Sequence, residues 1–130
     1  MSDPILIVLH QEHSTPGRVG RLLRERGFSL DIRRPPCGDT LPKDLRNHHA
    51  MVVFGGPQSA NDPQDCLKAE TDLLGRAAAD GARVLGLCLG AQMMIRAYGG
   101  TVSPHPEGRA EIGYYPLRAT PNGEKLTETF

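Results

Sequence analysis

The stretch RVLGLCLGAQMMIRAY, residues 83–98, decides the fold of this 130-residue chain. Its first part, Arg83 to Leu87, is a short apolar run typical of a buried strand, and Leu89 to Tyr98 is apolar on most sides of a predicted helix. The strand therefore turns directly into the helix at Gly86–Gly90 (GLCLG). This segment has the G-x-nucleophile-x-G pattern of a nucleophile elbow, with Cys88 at its centre.

The position of Cys88 favours a reactive thiol. Glycines two residues to either side remove the Cβ atoms that would collide with the neighbouring strand and helix at so tight a turn. The turn lies at the carboxyl edge of the sheet, where parallel α/β folds bind their ligands. The adjacent helix N-terminus carries partial positive charge, which we expect to favour the thiolate. The alternative is a small buried side chain that merely closes the strand, as free cysteines often do.

Outward from this elbow, the chain alternates between apolar strands and amphipathic helices. The predicted strands are Ile5 to Leu9, Phe28 to Arg33, Met51 to Phe54 and Arg83 to Leu87. Helices are predicted from a cap at Ser14 or Thr15 to Gly27, from a cap at Asp62 to Gly81, and from Leu89 to Tyr98, with Pro16, Pro63 and Asp65 in the first turns. This order predicts an α/β fold with a doubly wound, mostly parallel sheet and helices on both faces.

The last part of the chain has a different pattern. Thr101–Val102 and Ile112 to Leu117 are short β-like runs separated by proline and glycine, and Thr120 to Phe130 is polar and rich in turn residues. We therefore predict a single domain over residues 1–130 whose fold is incomplete at its C-terminus.

A glycine pair follows the neighbouring predicted strand. Gly55 and Gly56 come directly after Phe54, and a main-chain N–H from such a loop can stabilise a developing oxyanion. We expect Gly56 and Leu89, the residue after the cysteine, to supply two N–H groups of an oxyanion hole. The alternative for the glycine pair is a simple turn.

Several polar side chains lie near the predicted site. Gln92 is one helical turn after Cys88 and is either a pocket residue or a solvated one. His10 and His13 follow the first strand and are candidate acid–base groups, although a loop histidine is more often merely exposed. His48–His49 precedes the third strand at the opposite edge and is not expected to be catalytic. His105, in a proline-flanked loop, is left without a role.

Composition and charge exclude several classes of protein. The 15 Lys and Arg residues balance 15 Asp and Glu, so no basic surface points to nucleic acid as a partner. Three widely spaced cysteines without a CxxC pair argue against a zinc ribbon or a disulfide framework, and nothing predicts a metal or another cofactor. No apolar run is long enough to cross a membrane, and no signal peptide is recognisable, so a cytoplasmic location is expected.

Two motifs together resemble the class I glutamine amidotransferase domain. They are FGGPQSAND (residues 54–62) and GLCLGAQ (residues 86–92), in order on successive strands. Within that family the chain is most similar to GMP-synthase-like amidotransferases, through LHQEH (residues 9–13) and EIGY (residues 111–114) as well. The resemblance extends over most of residues 5–118.

The resemblance implies a glutaminase reaction. Cys88 would attack the side-chain amide of glutamine to give a γ-glutamyl thioester and ammonia, and water would then release glutamate. Gly56 and Leu89 would form the oxyanion hole, while Gly55 and Gln92 would help to hold the substrate. Ammonia would pass to a synthetase domain or subunit.

The chain departs from the family in its C-terminal part. In that family the cysteine is served by a histidine and a glutamate, arranged as His-x-Glu far downstream. This chain stops at Phe130, 42 residues after Cys88, and we expect no His-x-Glu after the elbow. We therefore interpret it as the N-terminal portion of an amidotransferase domain and predict poor glutamine hydrolysis by the 130-residue chain alone.

Three other classes remain as alternatives. α/β-Hydrolases with a cysteine elbow lack FGGP followed by an acidic helix, and PfpI-like hydrolases carry His where Leu89 stands. A flavodoxin-like binding module would favour clustered aspartates or aromatic residues, and the chain has no Trp and three Tyr. The third alternative is a catalytically inactive scaffold that keeps the amidotransferase fold for contact with a partner.

Overall fold

A four-stranded parallel sheet forms the centre of the computed structural model, which describes residues 2–127. The elements in chain order are β1 (Ile5–Val8), α1 (Gly17–Glu25), β2 (Leu30–Arg33), a short 3₁₀ helix (Pro35–Cys37), β3 (Ala50–Val53), α2 (Asp65–Ala79), β4 (Val84–Gly86), α3 (Leu89–Ala97) and α4 (Glu124–Thr127). The strand order is β2-β1-β3-β4, and every neighbouring pair is parallel. The predicted fold class is therefore confirmed.

Helices cover both faces of this sheet because the apolar residues of its central strands point alternately to either side. All four residues of β1 are at most 3% exposed. On one face, Ile5 and Ile7 pack with Val19 and Leu23 of α1. On the other face, β1 and β3 pack against α2 and α3 in a larger core, which contains Leu6, Val8, Met51, Val53, Leu67, Leu73, Leu74, Leu89 and Met93.

The predicted caps of the first two long helices were wrong. Pro16 itself is the N-cap of α1, and the Gly17 N–H donates to Thr15 Oγ1 at 3.3 Å. For α2 the N-cap is Gln64, so Pro63 lies before the helix. Asp62 instead accepts a hydrogen bond from the Ser59 N–H at 2.9 Å. Its carboxylate closes the preceding turn, which explains why this good capping residue is not used as a cap.

The predicted β-like runs near the C-terminus were also wrong. Thr101–Val102 and Ile112 to Leu117 form no strand, and Ile112, Tyr114 and Leu117 are each at least 87% exposed. Short apolar runs become strands only when a neighbouring strand pairs with them, and no such neighbour is present among residues 2–127.

The helices are short. The longest, α2, has 15 residues, and within residues 2–127 there is no helix with the length and apolar character that crossing a bilayer requires. The one-turn helix α4 lies in a segment for which only turns were predicted.

Candidate active site

Cys88 occupies a strained turn between β4 and α3. β4 ends at Gly86 and α3 begins at Leu89, so two residues make the whole connection. The backbone of Cys88 has φ 55° and ψ −114°, and it is the only non-glycine residue with positive φ in the described part of the chain. The residue is exposed, so its thiol is accessible. The alternative of a buried cysteine is therefore wrong, and the backbone strain is of the kind that functional sites retain.

The two glycines of the elbow are required by close packing. A Cβ atom at Gly90 would lie 2.2 Å from the Val53 carbonyl oxygen, and one at Gly86 would lie 2.5 Å from Met94 Sδ and 2.8 Å from the Ala91 nitrogen. The start of α3 therefore lies directly against the end of β3. This contact brings the loop that follows β3 next to the thiol.

Gly55 borders Cys88, and Gly56 is the next residue of the same loop, whose role in an oxyanion hole stays a prediction. A Cβ atom at Gly55 would lie 3.2 Å from Cys88 Cβ and 3.5 Å from Sγ. The Gly56 N–H and the Leu89 N–H have no hydrogen-bond acceptor among residues 2–127. Leu89 is the first residue of α3, where a main-chain N–H has no partner within the helix. Main-chain donors without an acceptor thus lie on both segments that meet at the accessible thiol.

Gln92 lies one turn further along α3. Its N–H donates to the Cys88 carbonyl at 3.1 Å, and the residue is exposed. A residue four positions after Cys88 lies on the same side of the helix, and the role of Gln92 in the pocket stays a prediction.

His10 is buried, contrary to the exposed position expected for a loop histidine. Its side chain is 0% exposed, and Nε2 lies 2.8 Å from Oε2 of Glu70, whose side chain is also 0% exposed. Sequence reasoning missed Glu70. The sequence does indicate a buried charge at this position, because Glu70 interrupts the apolar stripe of Leu67, Leu74 and Ala77 on the buried side of α2.

The surroundings of His10 raise its pKa above the ordinary value of 6.5. Burial by itself lowers this pKa, because it disfavours the charged ring. The hydrogen bond and charge of Glu70, together with the carbonyl groups of Gly55 and Phe54, raise the pKa by more. The imidazolium form is therefore stabilised in the folded protein.

The other histidines do not contact the thiol. His13 is 93% exposed. His48 Nε2 lies 2.9 Å from Asp31 Oδ2, and the His49 ring packs on Phe28. Cys88 Sγ makes no hydrogen bond to any residue within 2–127.

The expectation that no His-x-Glu follows the elbow was wrong, because His105-Pro106-Glu107 lies 17 residues after Cys88. His105 Nδ1 accepts a hydrogen bond from the Glu107 N–H, and the Glu107 carboxylate pairs with Arg109 at 2.8 Å. Both residues are exposed. The carboxylate therefore does not orient the imidazole as it would in a catalytic pair.

These features define a class of protein: a parallel α/β domain with an exposed cysteine at a strained strand-to-helix turn, at the carboxyl edge of its sheet. The family model for class I glutamine amidotransferases matches residues 10–128. The chain belongs to that family.

Comparison with individual proteins agrees with this assignment. The chain is 33% identical over 121 residues to the glutamine amidotransferase-like protein YfeJ of Salmonella typhimurium, which covers 89% of this chain and 50% of that protein. It is 32% identical to the glutamine-hydrolysing GMP synthase of Streptococcus mutans, over 95% of this chain and 23% of that protein. A crystal structure of a glutamine amidotransferase from Methylobacillus flagellatus superposes with a TM-score of 0.81 at 32% identity, over 87% of this chain and 45% of that chain.

Each of these matches covers most of this chain but half or less of the other protein. The chain spans half the length of YfeJ and less than a quarter of the streptococcal GMP synthase. The similarity therefore describes one part of each relative.

Proposed function

We propose that this domain uses Cys88 to take the side-chain amide nitrogen from glutamine and release it as ammonia. The observation that carries the proposal is the accessible thiol at a strained elbow, beside two main-chain N–H groups without an acceptor. An acyl-transfer reaction needs this combination, because negative charge develops on the carbonyl oxygen as sulfur attacks.

The first step forms a thioester. Cys88 Sγ bonds to the amide carbon of glutamine, and the N–H groups of Gly56 and Leu89 donate to the oxygen of the tetrahedral intermediate. The carbon–nitrogen bond then breaks, and the thiol proton leaves with the nitrogen as ammonia. Water next attacks the γ-glutamyl thioester, which gives glutamate and restores the thiol, so one amide hydrolysis is divided into two easier steps.

Gly55 and Gln92 contribute to the binding of glutamine in this proposal. Gly55 places no side chain between the substrate and Sγ, and a Cβ atom at this position would make a tight contact of 3.2 Å with Cys88 Cβ. Gln92 borders the same opening and supplies amide groups that can bind the polar end of glutamine. A substrate that is itself an amide and an amino acid fits donors and acceptors of this kind.

The ammonia is proposed to serve a synthetase domain or subunit in the cytoplasm. Support comes from the relatives whose names describe glutamine-hydrolysing GMP synthases. A scaffold that keeps the fold without the reaction is the second candidate, because the described residues place no histidine–carboxylate pair at the thiol.

Protection of Cys88 from alkylation tests the proposal. The chain is treated with iodoacetamide at increasing glutamine concentration, and alkylation of each cysteine is followed by mass spectrometry. We expect glutamine, but not asparagine, to slow the alkylation of Cys88 and to leave Cys37 and Cys66 unaffected. If glutamine changes the alkylation rate of none of the three cysteines, the result would favour the scaffold.

A further inference from the structure

The buried pair of His10 and Glu70 lies next to the candidate site without contacting the thiol. His10 follows β1, and Glu70 lies midway along α2. Burying two charged groups costs free energy that a single ion pair often does not recover. Glu70 Oε1 also has no hydrogen-bond partner among residues 2–127. Packing alone would favour an apolar pair here, so the polar pair calls for another explanation.

The second ring nitrogen of His10 explains the pair. Nδ1 lies 3.1 Å from the Gly55 carbonyl oxygen, while Nε2 lies 2.8 Å from the Glu70 carboxylate. Both partners are hydrogen-bond acceptors, so both ring nitrogens must carry protons if both bonds are to form. Glu70 thus keeps the ring protonated and correctly oriented, and the ring donates to the glycine loop.

The hydrogen bond to the Gly55 carbonyl also fixes the direction of the Gly56 N–H. The two groups belong to one planar peptide unit, and no peptide bond in the described chain is cis. In a trans peptide the C=O and N–H point in opposite directions. A carbonyl held by His10 therefore directs the Gly56 N–H away from His10, on the loop that borders Cys88.

Direct packing fixes the same peptide from a second side. A Cβ atom at Gly56 would lie 2.6 Å from His10 Cβ and 2.6 Å from Gln58 Oε1. Gln58 Nε2 in turn donates to the His10 carbonyl at 3.1 Å. The glycine loop and His10 are thus held together by main-chain and side-chain contacts.

We propose that His10 and Glu70 are positioning residues, which hold the Gly55–Gly56 peptide with its N–H directed at the substrate oxygen. This inference rests on the proposed function, because it assigns the pair to the oxyanion hole of that reaction. A donor fixed before the substrate binds needs no reorganisation when charge develops.

Two substitutions of His10 separate its two hydrogen bonds. In His10→Gln the amide nitrogen replaces Nε2, so the bond to Glu70 persists while the Gly55 carbonyl loses its donor. In His10→Asn the amide nitrogen replaces Nδ1, so the bond to Gly55 persists. Glu70→Gln keeps the shape of the side chain and removes its charge. His48→Asn is the matched control. It removes the contact of 2.9 Å between His48 Nε2 and the Asp31 carboxylate, in which the His48 side chain is 8% exposed.

The first measurement does not depend on glutamine. The amide resonances of Gly56 are compared by NMR among folded variants. We expect His10→Gln and Glu70→Gln to shift or broaden the Gly56 resonance, and His10→Asn and His48→Asn to leave it near its wild-type position. An unchanged Gly56 resonance in both folded His10→Gln and Glu70→Gln would overturn the proposal.

The second measurement uses a chloroketone analogue of glutamine, which alkylates Cys88 after binding in the pocket. We expect His10→Gln to slow this labelling about tenfold or more, as loss of an oxyanion donor does. Alkylation by iodoacetamide, which needs only an exposed thiol, should not change. Equal slowing of both reagents would show a general structural effect and contradict the proposal. If the chloroketone does not label the wild-type chain, the proposed function fails, and the Gly56 resonance still decides the role of His10.

Discussion

The backbone of Cys88 determines where the thiol lies, and it does so at an energetic cost. With φ 55° and ψ −114°, a non-glycine residue is held in a sparsely populated conformation that costs about 1–3 kcal/mol. The surrounding contacts of Gly86 and Gly90 with the neighbouring helix and strand impose this conformation.

This strain predicts a difference between two substitutions of Cys88. Cys88→Gly should give a free energy of unfolding about 1 kcal/mol higher than Cys88→Ala, because glycine relieves the strain but gains entropy in the unfolded chain. Urea denaturation of both variants measures the difference. Both remove the thiol, so loss of sulfur contacts cancels in the comparison. An alanine variant at least as stable as the glycine variant would contradict the assigned backbone conformation.

Gly56 is predicted to tolerate no side chain. The clash of an added methyl with His10 Cβ cannot be relieved easily, because the His10 ring is held by two hydrogen bonds. Gly56→Ala should lower the free energy of unfolding by about 1–3 kcal/mol and reduce chloroketone labelling of Cys88. Gly75→Ala is the control, since a Cβ atom there meets only the Ala97 carbonyl oxygen at 3.9 Å. Gly75→Ala should be neutral or stabilising within α2.

The hydrogen bond between His10 and Glu70 connects the end of β1 to the middle of α2. Glu70 on α2 is the charged group that faces His10, and the other facing groups are the main-chain carbonyls of Phe54 and Gly55. Glu70 raises the pKa of His10. The contribution of the pair to the free energy of unfolding is therefore fully present below about pH 6.5, and it is lost as the pH rises through the raised pKa of His10.

The free energy of unfolding is therefore predicted to fall with rising pH above 6.5. His10→Gln should remove this part of the pH dependence, and His48→Asn should keep it. Denaturation at a series of pH values measures both. A wild-type stability that does not change over this range, or the same slope in His10→Gln, would contradict the charged pair.

The elements that the sequence predicted correctly are those with strong local patterns. The strands before Gly55 and before Cys88 are apolar runs that end at glycine, and the structure places them side by side as β3 and β4. The caps were wrong at Asp62 and Ser14 because a short polar side chain can bond to several nearby N–H or C=O groups. Local sequence does not decide among these partners.

The candidate site was predictable only where the chain itself brings residues together. The GLCLG segment predicts Cys88 and Leu89 as site residues, and the structure brings Gly55 beside Cys88. The partnership of His10 with Glu70 spans 60 positions and depends on how α2 packs on the sheet. No local pattern contains that information, although a glutamate within an apolar helical stripe indicates that a buried partner exists.

The 130-residue chain taken as a unit is predicted to hydrolyse glutamine poorly. In the proposed reaction Cys88 forms the thioester with the two N–H donors, but the described residues place no histidine at the thiol to activate the water that hydrolyses it. Glutamate release, measured by a coupled assay, should be slow and should disappear in Cys88→Ala. His105→Ala should leave it unchanged, since His105 is exposed and its Nδ1 already accepts a hydrogen bond from Glu107. Appreciable turnover that is lost in His105→Ala would show that this exposed loop serves the thiol.

The most direct test of the central claim is the mass of the intact protein after it is mixed with glutamine and quenched in acid. We expect a γ-glutamyl adduct on Cys88, with the mass of glutamine less ammonia, that hydroxylamine removes and that Cys88→Ala lacks. Unmodified Cys88 at saturating glutamine, with no ammonia released, would contradict it.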